Sequence, residues 1–497
     1  MRILTFADSA RKGLDAEYVY NGYDSEVTLD LFEVMKKELV EPYASVYNFE
    51  RLLLGPVMTM IRRGIKVDQD MRLDCVRELR ERMTNLGGMG KAPKKYKRPP
   101  KGEPKIEWQL VNPAAPLQQL AGVFGFDTFN YQSDRQLKDL FYQKLQCKEV
   151  TKWDKGEEKV TIDKKALAHL ADAYIRAMPF ANIILCLNDL KKQLEVFEAD
   201  VGEDHRWRFS LNIGGTVTGR FSSSKYPILK SGGNAQNIEK GLRRAFIPDD
   251  GMTMWQADLK GADAVVVAYL SGDENYLEAV ESGVDIYAMM CKRMWNRAPT
   301  RAEKGKSVEG TVDEIFVGRQ TYRDVMKRVR HARNYMAKPQ KLSSVLECGV
   351  AEAEDFLKQD KKIYPRISEW HVCTAEQLQK HGYLDTPWGF RRHFWDRLWD
   401  DSTLREAVAH VPQSTVAHAI DVGIYRVWYD LEPEIQILNQ IHDAALGQAM
   451  SDKITTTKEK VIPLLENPVQ VTDITGVTRT MTLKPSWATG KDWKECS

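Results

Sequence analysis

The chain has 497 residues, 43% of them apolar and 29% charged, with a net charge of +2. That length predicts roughly two to four subdomains around a large core, and the balance is that of a soluble globular protein. No apolar run approaches bilayer length and no N-terminal h-region is seen, so membrane spans and a signal peptide are not expected; seven scattered cysteines without a CxxC pair argue against a zinc site or a disulfide framework and fit a reducing cytoplasm.

In chain order, residues 1–48 read as a short lead-in followed by a helix with apolar residues at helical spacing. A long helical pattern runs over 49–88, interrupted at Gly64-Ile-Lys-Val-Asp68. Residues 91–105 form a basic, proline-rich loop that includes Lys94, Lys95, Lys97 and Arg98. It reads either as a solvated loop or as a face for a polyanion. Helical patterns return over 109–126, 136–145 and 162–197, so that roughly 50–200 reads as a helical subdomain with a basic tip.

From Arg208 the texture changes to a strand and then Gly-, Ser- and Pro-rich segments reaching Asn237. A β-prone run ends at Asp258 and passes into an apolar helical run from Ala262. Further helices are predicted over 276–297 and from Thr321 to about Ala337, where Pro339 stops the pattern, with two more around Tyr364-Pro365. Residues 382–392 read as a hairpin, 404–429 as a helix, and 435–447 as two strands with an acid at the turn.

Two strand-end carboxylates, Asp258 and Asp443, are the candidate chemistry. Hard divalent cations such as Mg²⁺ take carboxylate oxygens together with substrate phosphates. Two ions held a few ångströms apart can activate an attacking oxygen and stabilise a leaving one. A strand-end aspartate is also a common N-cap or turn former, and spacing alone does not pair the two. On the helix from Thr321, residues Arg323, Lys327, His331 and Tyr335 recur every four positions and share one broad face. Two cations followed by two rings suit a triphosphate with its base and sugar; a basic surface helix is the plainer reading.

These pieces, with Thr218-Gly-Arg220-Phe-Ser-Ser, Gln236-Asn237-Ile, Arg243-Arg-Ala-Phe-Ile-Pro, Pro412-Gln413-Ser-Thr, Ile441-His442-Asp443 and the tail Gly490-Lys-Asp-Trp493, resemble in order and spacing the family A DNA polymerases, the group of bacterial DNA polymerase I and many phage replicases. The resemblance runs from about residue 20 to the end and implies an α+β right-hand fold. In it, residues 1–48 are an exonuclease-domain remnant and 49–200 a thumb tipped by the basic loop. The palm is split between 201–274 and 376–497, with fingers at 275–375. It implies that two Mg²⁺ ions sit on Asp258, Asp443 and the Leu259 carbonyl. Arg323, Lys327, His331, Tyr335, Asp263 and Tyr287 would face the incoming dNTP. Arg220, Gln236, Asn237, Arg405, Gln413, His442 and the basic tip would contact primer-template DNA.

The sequence departs from the family pattern at several points. Asp263 stands where relatives carry a glutamate that gates against ribose. His331 replaces an aromatic Phe or Tyr, Met336 a glycine, Ala444 a glutamate and Tyr287 a histidine. Tyr20 and Asp24 resemble the last motif of the family's 3′–5′ exonuclease, whose earlier motifs have no room before them. Proofreading within this chain is therefore not expected, and a separate exonuclease subunit, a processivity factor or a phage setting is conceivable by association. The rival readings are a catalytically inactive DNA-binding scaffold, a single-subunit RNA polymerase and, third, a nuclease. Retention of Asp258, Asp443, Arg323 and Lys327 argues against the scaffold.

Overall fold

The computed structural model describes residues 16–37, 43–87, 115–154, 156–226, 232–300, 308–317 and 320–497. Its centre is a four-stranded antiparallel sheet in the order Ile435–Ile441, Ala444–Met450, Met252–Asp258, Ala488–Gly490. The first two of these strands are buried on both faces, so they read as runs without apolar–polar alternation. Gly447 is required by packing: a Cβ there would run into the Trp255 ring, which itself stacks on Trp487 at 5.1 Å.

Helices cover this sheet. The longest, Asp401–Leu431, spans 31 residues, or roughly 46 Å at 1.5 Å per residue. It packs against Ile435–Ile441 and against helix Ile454–Leu465. Helix Ala262–Ser271 is apolar almost all round (Ala264 to Tyr269 are all buried) and sits between glycines at positive φ, Gly261 and Gly272. A helix apolar on every side belongs inside a core.

The N-terminal half is helical as expected, with corrections. The interruption at Gly64 is a strand, Ile65–Val67, paired on both sides with Arg206–Trp207 and Phe246–Ile247. The pattern over 162–197 divides into Lys164–Ala173 and Met178–Phe197, the second opening with Pro179 in its first turn, where proline's missing N–H costs nothing. Val150–Asp154 and Glu157–Thr161 pair as antiparallel strands that the sequence reading did not expect. The pattern over 276–297 is two helices, Glu274–Glu281 and Ile286–Trp295, each started by an aspartate N-cap. The helix expected to reach Ala337 ends at Asn334, and Pro339, expected as a stop, instead opens helix Pro339–Leu346. Among the described residues no helix is long and apolar enough to cross a membrane.

Candidate active site

The sheet register brings the two carboxylates together. Ala444 pairs with Asp258, and Asp443 is the second residue of the two-residue turn joining Ile435–Ile441 to Ala444–Met450. That turn needs a positive φ, which His442 supplies at 55°. The Leu259 N–H donates to the Asp443 carbonyl at 3.0 Å. The Asp258 carbonyl accepts from the Ser486 N–H at 2.7 Å and its hydroxyl at 3.0 Å. Both acids are thus pinned through their backbones.

Their side chains face each other in a place that resists negative charge. Burial, then the charge of Asp443, pushes the Asp258 carboxyl up to about 6, against the pull of Lys327 and Lys240. Asp443 is also raised, chiefly by burial and then by the charge of Asp263. Among the described residues neither carboxylate of the pair is in an ion pair. A half-buried, like-charged oxygen pair with no counter-ion is the donor set a hard divalent cation completes. Leu259 has its side chain in the core, 1% exposed.

Asp263, in the first turn of the next helix, is a hub. Its carboxylate lies 3.9 Å from Arg220 Nη2 and 3.9 Å from His331 Nδ1. The Tyr335 hydroxyl sits between Asp263 and Gln413 without a hydrogen bond of full geometry to either, and burial followed by the Asp263 charge raises its pKa. Tyr287 is raised to about 12 by the same two causes. His331 is 61% exposed, edge-on to Tyr335 with ring centres 4.9 Å apart. Arg220 keeps a buried Nε that has no hydrogen-bond partner among the described residues.

The cations come from helix Tyr322–Asn334, started by a capping box of Thr321 and Asp324. Lys327 is exposed, and its charge reaches Asp258. Arg323 is held: Nε and Nη2 donate to Asp285 Oδ2 at 3.0 and 2.6 Å, and its guanidinium lies over the Tyr287 ring at 5.7 Å. Past the helix, Met336 takes φ 60°, a conformation that costs a side-chain-bearing residue about 1–2 kcal/mol.

Other expected residues fall differently. Gln236 is corrected: it is 7% exposed, and its amide donates to Gln440 Oε1 at 3.0 Å. Gln440 in turn donates to the His442 carbonyl. The two glutamines therefore brace the turn that carries Asp443, and Gln236 does not present its side chain to a ligand. Asn237 is exposed, its carbonyl accepting from Gln193 at 2.6 Å. His442 is exposed at the turn, and Arg405 is exposed 3.7 Å from Asp401. Gln413 lies on the long helix, half-buried beside Tyr335. Lys94, Lys95, Lys97 and Arg98 lie outside the described residues, as do the side chains of Tyr20 and Asp24. Lys240, Asp285 and Gln440 were missed. Only Lys240 carried a local signal, a lone cation just before Arg243-Arg244; the other two matter through partners distant in the chain.

The model of DNA polymerase family A matches residues 110–495. The thermostable DNA polymerase I of Thermus filiformis is 24% identical over 98% of this chain and 51% of its own length. DNA polymerase I of Treponema pallidum is 24% identical over 95% of this chain and 44% of its own. The chain thus spans about half the length of the curated relatives it matches. Among solved structures, the POL domain of Pol1 from M. smegmatis, in complex with DNA primer-template and dNTP, aligns with a TM-score of 0.68 at 20% identity, covering 94% of this chain and 74% of that one. That likeness establishes the α+β polymerase-domain fold.

Proposed function

The chain belongs to DNA polymerase family A, and we propose that it extends a primer 3′-hydroxyl with deoxynucleotides chosen by a DNA template. The observation that carries this is the register of Asp258 beside Asp443 under the Lys327 face of helix Tyr322–Asn334. In this reading the central sheet is the palm (201–274 and 376–497), residues 275–375 are fingers and 49–200 the thumb.

Asp258, Asp443 and the Leu259 carbonyl would hold two Mg²⁺ ions, which when bound lower the pKa of the attacking hydroxyl and neutralise the leaving phosphates. Everything else is positioning by the protein's own groups. Lys327 places its ammonium over the phosphates, on the side of the site facing Asp258. Arg323, oriented by Asp285, offers its remaining Nη1 donors to phosphate oxygens as a fixed fork. Tyr335 and His331 wall the base and sugar. Asp263, between Arg220 and His331, would be the group that disfavours a ribose 2′-hydroxyl and so favours deoxy substrates. The outer guanidinium nitrogens of the half-buried Arg220 and the Gln413 amide would supply donors for minor-groove acceptors, which every correct pair presents alike. Lys240 adds a second cation whose charge acts on Asp258. Asn237, Arg405 and His442, all exposed, would contact the DNA.

Single-nucleotide insertion by the wild-type chain and Asp443→Ala tests the assignment. The account expects a loss of at least about a thousandfold in the variant, as for removal of a principal electrostatic element. Insertion persisting at a comparable rate would remove Asp443 from the chemistry.

A further inference from the structure

The hairpin Tyr383–Asp385 with Arg391–His393, and the loop leading from it to the long helix, carry a row of rings that the proposed chemistry does not use. Cross-strand register sets Tyr383 opposite His393. Ring centres then run His381 to Tyr383 at 5.7 Å, Tyr383 to His393 at 5.4 Å, and His393 to Trp395 at 5.6 Å, the last pair stacked at 16°. The row ends in water: Trp395 is 89% exposed, and Trp399, four residues on, is 70% exposed. Two tryptophans left this exposed on one short loop, next to a row of rings, are candidates for a binding face.

The row leads from the site. Phe390, at the hairpin tip, lies 4.9 Å from the His418 ring, and a Cβ built on Gly219, the neighbour of Arg220, would be 3.9 Å from the Phe390 ring. A strand leaving the nascent pair beside Arg220 can continue along this hairpin. The electrostatics suit stacking more than phosphate neutralisation. Arg391 lies 3.4 Å over the Tyr383 ring and is itself paired with Asp385, Arg392 takes Glu406, and Lys338 takes Asp401.

We propose that the His393–Trp395–Trp399 face is a stacking platform for unpaired bases of single-stranded DNA, the unpaired part of the template in the reading given above, on which this inference rests. Bases have π-faces whatever their sequence, and a stacked base is worth roughly tenfold in affinity.

The test is fluorescence anisotropy of a labelled oligothymidylate and of a labelled blunt duplex, bound to the full chain as wild type, Trp395→Ala, Trp399→Ala, the double variant and Trp395→Phe. The expected result is an oligothymidylate affinity reduced about tenfold in the double variant, retained in Trp395→Phe, with blunt-duplex affinity unchanged. Equal oligothymidylate affinity in wild type and double variant overturns the platform, the outcome if the face binds a protein partner, as does an equal loss for both probes, the outcome if the face supports the fold. A wild-type chain that extends primers yet fails this test keeps the polymerase reading and loses the platform. A chain that passes it yet extends nothing does the reverse.

Discussion

Arg330 and Asp360 are each 0% exposed and paired, with Arg333 Nε donating to the other Asp360 oxygen at 2.9 Å. The Arg330 guanidinium lies between the rings of Tyr364, at 4.3 Å, and Tyr276, at 5.4 Å, while its Nε and Nη1 have no partner among the described residues. The pair joins the last turn of the helix bearing Lys327 and His331 to helix Val350–Ile363. Asp360→Asn keeps the shape and removes the charge, leaving a cation in a dry pocket with incomplete hydrogen bonding. Breaking one side of such a pair costs about 3–5 kcal/mol, whereas replacing both sides with apolar groups of similar size costs little or stabilises. The double change Arg330→Met with Asp360→Leu removes that cation but leaves Arg333 without its acceptor, so it should recover about 1 kcal/mol, part and not all, of the single variant's loss. Urea denaturation of the wild type, both single variants and the double measures this cycle. A single variant losing under about 1 kcal/mol, or a double variant worse than either single, would refute the claim that Asp360 is the main support of the buried Arg330 charge.

Four further outcomes are expected. Because the folded carboxyl of Asp258 titrates at about 6, against about 3.9 in an unfolded chain, the native state binds the proton more tightly. Stability in chelator should fall as pH rises through that window, and Asp258→Asn should be more stable than wild type by up to about 3 kcal/mol near pH 7, the gap closing near pH 4; a pH-independent gap in thermal denaturation would contradict the burial argument. Asp263 is one methylene shorter than the family's gating glutamate, so ribonucleotides should enter more readily than in relatives, and Asp263→Glu should raise discrimination between dTTP and UTP by about tenfold; an unchanged insertion ratio would place the gate elsewhere. Replacing Lys94, Lys95, Lys97 and Arg98 with alanine should make the slope of log affinity for duplex DNA against log salt shallower by about 1 for each phosphate those cations neutralise; an unchanged slope would remove the loop from the DNA path. Gln440→Ala should slow insertion and cost about 1–3 kcal/mol of stability, since it frees the turn carrying Asp443 and orphans the buried Gln236 amide; a rate equal to wild type in protein that remains folded would leave the brace without function.

The parts of the fold that the sequence made legible are those written in short-range signals. A β-prone run ending in Asp258 and a two-residue turn holding Asp443 stand out locally, and so does the four-residue spacing from Arg323 to Tyr335. Their meeting was not legible, because it depends on pairing strands that lie far apart in the chain. The errors have similar causes. Gln236 looked like a ligand-facing polar residue within a motif, yet its partner Gln440 lies 204 residues away. Pro339 looked like a helix stop, and it is one only for the preceding helix, since the first turn of the next has no use for its missing N–H. Helix Ile454–Leu465 and the hairpin Val469–Thr472 with Thr478–Met481 escaped the sequence reading altogether.

The most direct test of the central claim is primer extension on a labelled, primed DNA template with Mg²⁺ and dNTPs, comparing wild type with Asp258→Ala and including one lane without dNTPs. The account predicts template-directed growth of the primer by the wild type and none by Asp258→Ala, with DNA binding retained in both. Binding without growth in the wild type would contradict it and make the chain a DNA-binding protein on a polymerase scaffold.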